Sequence, residues 1–242
     1  MRVLIISDIH ANFDALQTVL KDGGDVDQTW CLGDLVGYGP QPNECVELIR
    51  SLENLICIKG NHDLAVTGGI DISLFNNEAK ESMLWHQNNL SKENIKFLKD
   101  LPEKVEVNGV TLVHGSPRNP IWEYILEPYI ARINYEYFKT DLCLVGHSHQ
   151  PMISAWNAEE GVLEWGPPVP GSSITLHNRM IINPGSVGQP RDSDPRAAYA
   201  IYTTGLHRFE FRRIAYDVGA VQKKILKAEL PLRHAQRLNG GW

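Results

Sequence analysis

Asp8 and His10 stand near the amino terminus, directly after a short apolar run at residues 3–6. In a loop that leaves a buried strand, two side chains at this spacing can turn toward one point. A carboxylate oxygen and an imidazole nitrogen form a mixed ligand pair that suits Mn, Fe, Zn or Ni better than Ca. The pair alone is common in sequences, and it predicts part of a transition-metal site only when further ligands accompany it.

Two further polar segments also follow apolar runs. Asp34 comes after a glycine at such an end, and one carboxylate can bridge two cations about 3.5–4 Å apart. In the sequence Gly-Asn-His-Asp, Asn61 offers a neutral oxygen ligand that adds no negative charge near a phosphate. His62 is then free of metal and could act as a general acid. Asp63 is predicted to orient the His62 ring and to raise its pKa.

Three histidines complete this pattern. His114 begins the sequence His-Gly-Ser, and His147 and His149 alternate in Gly-His-Ser-His. Alternating histidines beside a glycine can address two different ions, so the combined residues predict a dinuclear metal site. The other histidines have no partnering pattern and are interpreted as surface or structural residues. They are His86, His177, His207 and His234.

The candidate ligands stand where short apolar runs end. The runs cover residues 3–6, 29–32, 55–58, 110–113, 142–145 and 180–182. Runs of this length suit strands buried on both faces, and ligands of such sheets gather at the carboxyl ends of the strands. Segments with helical periodicity lie between them, at residues 11–21, 43–52, 76–89, 91–101 and 128–139. Alternation of strand and helix predicts a layered α/β fold with parallel pairing.

The pattern changes after Pro151, where strands follow one another without helices. Residues 152–156 and 162–165 predict a hairpin. Further strands are predicted at residues 173–177, 179–183, 197–203 and 207–215, followed by a helix at residues 218–229. These strands predict a second, largely antiparallel sheet packed on the first. A chain of 242 residues without an obvious linker is expected to form a single domain, residues 1–242.

Taken in order, these motifs resemble the motif series of the calcineurin-like metallophosphoesterase superfamily. They are Asp8-x-His10, Gly33-Asp34, Gly-Asn-His-Asp, His114 and Gly-His-Ser-His. The likeness runs from residue 1 to about residue 195 and is greatest to small bacterial and archaeal phosphodiesterase-type members. It implies an α/β fold, a four-layer α-β-β-α sandwich of two mixed β-sheets flanked by helices. It also implies a hydrolase acting on phosphoric ester bonds.

Carried over by position, the resemblance assigns each of two metal ions four ligands. For the first ion they are Asp8, His10, Asp34 and His149. For the second they are Asp34, Asn61, His114 and His147. Mn is the expected metal, with Fe, Zn or Ni as alternatives. The expected reaction is in-line attack on phosphorus by a hydroxide shared between the ions, with His62 as the catalytic acid.

One motif departs from the superfamily's protein Ser/Thr phosphatases. Those proteins carry G-D-x-V-D-R-G, whereas residues 33–39 read Gly-Asp-Leu-Val-Gly-Tyr-Gly and lack that Asp and Arg. The departure weighs against a protein phosphatase and against the symmetrical diadenosine tetraphosphatase, which has a related arginine motif. A phosphate-binding arginine must then lie elsewhere. Arg191 is preferred because it follows the Asn-Pro-Gly-Ser loop, and Arg118 is the other candidate.

The expected substrates are small phosphodiesters or nucleotides. Several aromatic residues could stack on a nucleobase, namely Phe75, Trp85, Trp122, Tyr124 and Tyr129. Two rival functions stay open. One is a non-catalytic interaction scaffold on the same fold, such as the retromer subunit, although such proteins are expected to have lost ligands. The other is a two-metal hydrolase of carbon esters or amides, which the neutral ligand Asn61 disfavours.

Composition limits the partners. The formal net charge of −6 gives no broad footprint for duplex nucleic acid or an anionic membrane. The four cysteines form no C-x-x-C pair, and most lie in apolar runs, which favours a reducing compartment. The apolar run at residues 3–6 is too short for a signal peptide, so a cytoplasmic location is expected. The sequence does not indicate an oligomeric state.

Overall fold

Twelve β-strands form two six-stranded sheets in the computed structural model, which describes residues 1–242. In chain order the strands are β1 (Arg2–Ile6), β2 (Gln28–Cys31), β3 (Leu55–Cys57), β4 (Lys104–Val107), β5 (Val110–Val113), β6 (Leu142–Leu144), β7 (Met152–Asn157), β8 (Val162–Gly166), β9 (Ser173–Thr175), β10 (Arg179–Asn183), β11 (Ala197–Thr203) and β12 (Arg208–Ile214). The first sheet has the order β3-β2-β1-β11-β12-β9 and the second β4-β5-β6-β10-β7-β8. Each sheet contains parallel and antiparallel pairs, so both are mixed.

Eight α-helices accompany the sheets. They are α1 (Phe13–Gly23), α2 (Pro42–Arg50), α3 (Asn61–Val66), α4 (Asn77–Asn89), α5 (Lys92–Asp100), α6 (Pro128–Asn134), α7 (Val218–Lys227) and α8 (Leu232–Gly240). Helices α1 and α2 pack on the outer face of the first sheet, and α6 packs on the outer face of the second. The predicted sandwich of two mixed sheets flanked by helices is therefore confirmed. No helix combines the length and the apolar character that crossing a membrane requires.

Strand β1 shows why the apolar runs are continuous. Val3 and Ile5 lie in the core between the two sheets, whereas Leu4 and Ile6 lie in the core between the first sheet and its helices. Successive side chains of a strand point to opposite faces, so a strand in an inner layer buries every residue. The same alternation holds for β6, in which Leu142 and Leu144 face the other sheet and Cys143 faces α6.

The strand registers bring the candidate ligands to one edge. The last residues of β1, β2 and β3 lie side by side, and Asp8, Asp34 and Asn61 follow within two to four residues. In the second sheet the last residues of β5 and β6 lie close together in register, and His114 and His147 follow. Stacking of the two sheets then places both sets at the same end of the molecule.

The expected division of the strands between the sheets is wrong. Strands β7, β8 and β10 join the second sheet, whereas β9, β11 and β12 join the first. Each sheet thus combines parallel strands from one part of the chain with antiparallel strands from its last part. The strand runs themselves were indicated correctly, but an apolar run carries no information on which of two sheets will bury it.

Element boundaries also differ in places. The helix expected at residues 128–139 ends at Asn134. After it, the backbone N–H groups of Glu136 and Tyr137 donate to carbonyls three residues earlier, which is the pattern of turns. Strand β4 was not predicted because it alternates polar and apolar residues and is half exposed. Helices α3 and α8 were not predicted either. Helix α3 is short and begins at a candidate ligand, and α8 is rich in polar residues.

Replacement of Ile5 by alanine is expected to lower the free energy of unfolding by about 2–5 kcal/mol, because the side chain is fully buried between the sheets. The matched control is Val162→Ala in a strand at the sheet margin, where the side chain is 49% exposed and the expected loss is about 0.5 kcal/mol or less. Urea titration of metal-free protein measures both. Equal losses would contradict the described core.

Candidate metal centre

Two groups of buried donor atoms lie at the common edge of the sheets. The first comprises Asp8, His10, Asp34 and His149, and the second comprises Asp34, His114 and His147. Within each group the ligand atoms all lie within 4.8 Å of one another. The Asn61 side-chain oxygen lies 3.1 Å from Nε2 of His114 and therefore adjoins the second group. All of the ligands that the sequence predicted are thus brought together.

The carboxylate of Asp34 belongs to both groups. Its Oδ2 lies 3.6 Å from Nε2 of His10 and 3.3 Å from Nε2 of His114. Its Oδ1 accepts a hydrogen bond of 2.9 Å from the backbone N–H of His62. Gly60 makes this approach possible, since a Cβ there would lie 2.0 Å from Oδ1 of Asp34.

Unusual backbone angles aim the ligand side chains. Five of the candidate ligands have positive φ values between 48° and 65°, namely Asp8, His10, Asp34, His147 and His149. This left-handed region is uncommon for residues other than glycine and costs about 1–3 kcal/mol for each residue. Hydrogen bonds between the loops hold the conformation, for example from the Asp8 N–H to the Gly33 carbonyl at 3.0 Å. Strain concentrated at one cluster of polar groups is typical of a functional site.

The histidine rings are fixed by backbone carbonyls. Nδ1 of His10 lies 3.0 Å from the Val36 carbonyl oxygen, and Nδ1 of His114 lies 2.8 Å from that of Leu32. A ring that donates from Nδ1 presents the lone pair of Nε2 to the site, as metal-bound histidines do. The Nε2 atoms of His10 and His149 face each other at 3.0 Å.

The protonation preferences fit a cation between these nitrogens. Burial lowers the pKa of His10, His147 and His149 well below the usual value, so their rings are neutral near pH 7. Two facing lone pairs, and a buried Nε2 of His147 without a hydrogen-bond partner, suit a bound divalent ion. Burial opposes protonation of His114, but the neighbouring Asp34 outweighs burial and raises its pKa to about 9. A divalent ion would displace that proton.

His62 lies beside the two donor groups but does not pair with Asp63. Both carboxylate oxygens of Asp63 accept backbone hydrogen bonds instead, from Leu35 at 2.9 Å, Val36 at 3.3 Å and Gly60 at 3.0 Å. Neighbouring residues of a helix point in different directions, which keeps the two side chains of α3 apart. The predicted orienting role of Asp63 is therefore wrong, and the residue fastens two ligand-bearing loops together.

The environment of His62 is aromatic rather than acidic. Its ring lies 4.5 Å from the ring of Tyr38 and 5.0 Å from that of Phe75, and its Nδ1 is buried without a partner. Burial lowers the pKa of His62 to about 4, which is opposite to the expected shift. Gly37 allows the close packing, because a Cβ there would lie 2.4 Å from Nδ1 of His62.

The two candidate arginines have different surroundings. Arg118 forms an ion pair with Glu123, so its charge is already compensated. Arg191 donates to the side-chain oxygen of Gln189 at 2.9 Å and to the Tyr38 hydroxyl at 3.4 Å, and its Nε is buried without a partner. Arg191 therefore remains the candidate for binding an anion near the two donor groups.

Three of the five aromatic residues noted in the sequence lie at the site. Phe75 contacts Trp122, with ring centroids 5.2 Å apart, and Tyr124 stacks on His147 at 3.8 Å. Trp85 instead packs against the C-terminal helices, and Tyr129 is 69% exposed away from these rings.

Sequence reasoning missed Tyr38, whose ring also lies 4.6 Å from that of His10. Its position between two glycines was the available indication. His86 is structural, as expected, since its nitrogens contact the N–H of Gly37 and the carbonyl of Gly39. His234 is also structural, since it is buried with Nε2 3.1 Å from the Glu78 carbonyl oxygen, and its ring lies 4.9 Å from that of Tyr38.

Two mixed sheets with clustered Asp, His and Asn donors at their carboxyl ends define a metallohydrolase type of site. The sequence profile of the calcineurin-like phosphoesterase superfamily domain matches residues 1–205. The crystal structure of a metallophosphoesterase from Sphaerobacter thermophilus superimposes with a TM-score of 0.91 at 44% identity, covering 100% of this chain and 99% of that one. An uncharacterised protein of Methanocaldococcus jannaschii is 41% identical over 98% of this chain and 96% of its own length.

A partial match is found to the symmetrical bis(5′-nucleosyl)-tetraphosphatase of Nitrosococcus oceani. It is 32% identical over 142 residues, which is 54% of this chain and 49% of that enzyme. The chain therefore spans about half the length of that relative. The profile match and the full-length relatives show that the chain belongs to the calcineurin-like phosphoesterase superfamily. It is a hydrolase acting on phosphoester bonds.

Replacement of Asp63 by alanine is expected to lower the free energy of unfolding by about 3 kcal/mol or more, because three backbone N–H groups lose their acceptor. Asp63→Asn keeps one acceptor oxygen, so its free energy of unfolding should lie between those of Asp63→Ala and the wild type. Asp71→Ala is the matched control, since its carboxylate accepts from one exposed backbone N–H and its loss should matter little. Denaturant titration of metal-free proteins measures the three, and an equal effect of Asp63→Ala and Asp71→Ala would contradict the fastening role.

Proposed function

We propose that the protein is a dinuclear-metal-dependent phosphoesterase that hydrolyses small phosphodiesters or nucleotides. The observation that supports this function is the pair of buried donor groups that share Asp34. A bridging carboxylate and a neutral amide ligand suit two divalent ions that must also accept an anionic substrate. The chain's superfamily acts on phosphoester bonds, so the new element of the proposal is the ligand assignment and the substrate class.

The ligand set proposed for the two ions is that of the sequence analysis. Asp8, His10, Asp34 and His149 hold one ion, and Asp34, Asn61, His114 and His147 hold the other. Mixed nitrogen and oxygen donors favour Mn, and they also accommodate Fe, Zn or Ni. When bound, such ions lower the pKa of water toward about 7 and neutralise charge that develops on phosphoryl oxygens.

The proposed role of His62 is protonation of the leaving group. Its ring adjoins the donor groups but belongs to neither, and its Nδ1 has no protein partner. An approaching phosphate ester brings negative charge beside the ring, which favours the imidazolium that must donate the proton. Tyr38 and Phe75 hold the ring in place from two sides.

Arg191 is proposed to hold the phosphoryl group. A guanidinium binds phosphate oxygens in a bidentate manner, and this one has no carboxylate partner. Contacts from Gln189 and Tyr38 orient it without neutralising its charge. The arginine that the protein phosphatases carry in G-D-x-V-D-R-G is absent from residues 33–39. Phosphate binding is therefore left to an arginine in another part of the chain.

The aromatic rings beside the donor groups support a nucleotide or another small ester with a planar group. Phe75, Trp122 and Tyr124 contact each other or the site histidines, so they form part of its wall. The partial relative in Nitrosococcus oceani is named a nucleosyl tetraphosphatase, which also favours a nucleotide. We further propose that the protein acts in the cytoplasm, in keeping with four buried free cysteines.

Metal binding tests the ligand assignment directly. Wild-type protein is expected to bind about two Mn²⁺ per chain, and His147→Ala about one, since that side chain belongs to a single donor group. Asp34→Ala should lose most of both ions, because its carboxylate belongs to both groups. Equilibrium dialysis followed by elemental analysis measures the metal content.

The control for metal content is His177→Ala, which removes an exposed histidine and should leave the wild-type value. Equal metal loss in His147→Ala and Asp34→Ala would contradict two separate positions that share one carboxylate.

Hydrolysis by His62→Ala tests the proposed acid. The variant should lose roughly 10²–10⁴-fold in kcat on diphenyl phosphate, whose phenolate leaving group is the more basic of the two and benefits from protonation. The loss on bis-p-nitrophenyl phosphate should be smaller, because p-nitrophenolate leaves without protonation. Initial rates with Mn²⁺ measure both, with metal content determined in parallel and the exposed His207→Ala as a surface control.

Equal losses on the two esters would remove His62 from the role of acid. A fully metallated wild-type protein that is inactive on monoesters, diesters and nucleotides would favour the interaction scaffold instead.

A further inference from the structure

We propose that Arg237, on the C-terminal helix α8, acts with Arg191 to bind a second phosphate group of the substrate. The substrate class would then be one that carries a phosphoric anhydride, such as a nucleoside diphosphate or polyphosphate. This inference rests on the proposed function, because the first phosphate must lie at the metal centre. Helix α8 lies beyond residue 205, outside the part of the chain that the superfamily profile matches.

Arg237 is a half-buried cation that forms no ion pair. Its Nε is buried and has no hydrogen-bond partner, and its Cζ lies 5.6 Å from the centroid of the Trp242 ring. Burial, followed by the charge of Arg191, lowers the pKa of Arg237. A partly desolvated cation of this kind destabilises the folded chain unless an anion compensates its charge.

Helix α8 is seated on the wall of the metal centre. His234, one turn before Arg237, packs its ring 4.9 Å from that of Tyr38, and Tyr38 in turn contacts His10 and His62. His234 is 2% exposed, and its Nδ1 has no hydrogen-bond partner. Nε2 of His234 donates to the Glu78 carbonyl at 3.1 Å, so its role is to seat the helix on Tyr38, and the unused donor on this part of α8 is Nε of Arg237.

The same helix is tied to the segment that carries Arg191. The backbone N–H of Ser193 donates to the carbonyl of Gly241 at 2.7 Å, just after α8 ends. Arg191 itself donates to the Tyr38 hydroxyl at 3.4 Å. Arg191 thus contacts Tyr38 directly, the helix that carries Arg237 packs on the same residue through His234, and neither arginine forms an ion pair with a carboxylate.

Arg233 shows that this arrangement is particular to Arg237. It lies one turn earlier on α8, and its Cζ is 5.7 Å from the same Trp242 ring. Arg233 is more exposed and pairs with Glu78 at 3.4 Å. Two arginines of one helix that share an aromatic neighbour therefore differ in burial and in pairing, and only Arg237 is half-buried without an ion pair.

The geometry separates two classes of substrate. A monophosphate ester offers charge only to the metal ions and to Arg191. A diphosphate adds a second charged group, and the guanidinium pair supplies donors for it that no protein group occupies. Charge-assisted hydrogen bonds of this type are the strong ones in anion recognition.

Isothermal titration with two anions that cannot be hydrolysed tests the proposal. The probes are orthophosphate and methylenediphosphonate, titrated into wild type, Arg237→Gln, Arg237→Lys and the matched control Arg233→Gln. Each titration is made on Mn-loaded protein, with metal content determined afterwards, and on metal-free protein, in which chelation plays no part. Thermal unfolding of each variant checks that it is folded.

Wild type should bind methylenediphosphonate at least tenfold more tightly than orthophosphate. Arg237→Gln should lose about tenfold to a hundredfold in affinity for methylenediphosphonate but less than about threefold for orthophosphate. Arg237→Lys keeps the charge and should lose less than Arg237→Gln, and it serves as the decisive variant if the glutamine protein does not fold. Arg233→Gln should match wild type with both anions.

Equal losses for the two anions in Arg237→Gln, or no loss for either, would overturn the second phosphate position. So would a wild type that hydrolyses simple phosphate esters but has no preference for methylenediphosphonate, a result that leaves the proposed function intact. A wild type that neither binds orthophosphate nor hydrolyses esters in its metal-loaded form overturns the proposed function, and this inference with it.

Discussion

The carboxylate of Asp34 is the interaction on which the rest of the site depends. One oxygen is fixed by a backbone N–H from helix α3, so the other must face histidines from two different sheets. That arrangement requires β2 to end beside β3 in register and requires the two sheets to stack with their carboxyl ends together. It also requires glycine at residue 60, where any side chain would meet the carboxylate.

Asp63 extends this constraint to the loops. By accepting three backbone hydrogen bonds, it links the loop after β2 to the start of α3. The price of burying a carboxylate is visible in its pKa, which burial and the charge of Asp34 raise to about 7. The ligand-bearing loops are thus held by polar contacts, while the apolar residues of the same strands hold the sheets.

The candidate ligands could be predicted from the sequence, because each follows an apolar run and the ends of these buried strands meet at one edge of the sheets. It was also sufficient for the strands of the inner layers, such as β1, whose residues are apolar on both faces. Pairing of the later strands was not predictable, since β10 and β11 are equally buried and could enter either sheet. The surroundings of Tyr38 were not predictable, because its ring packs on His234, about 200 residues later in the chain.

The left-handed backbone of the ligand residues limits how this site can change during evolution. Asp and Asn tolerate positive φ better than other residues with a Cβ, whereas a β-branched residue at Asp8 or Asp34 would add backbone strain to the loss of a ligand. An exchange of Asp for Asn therefore removes charge while the loop keeps its shape. Descendants of such a protein can lose catalysis and retain the fold, which gives a physical route from an enzyme to a binding protein.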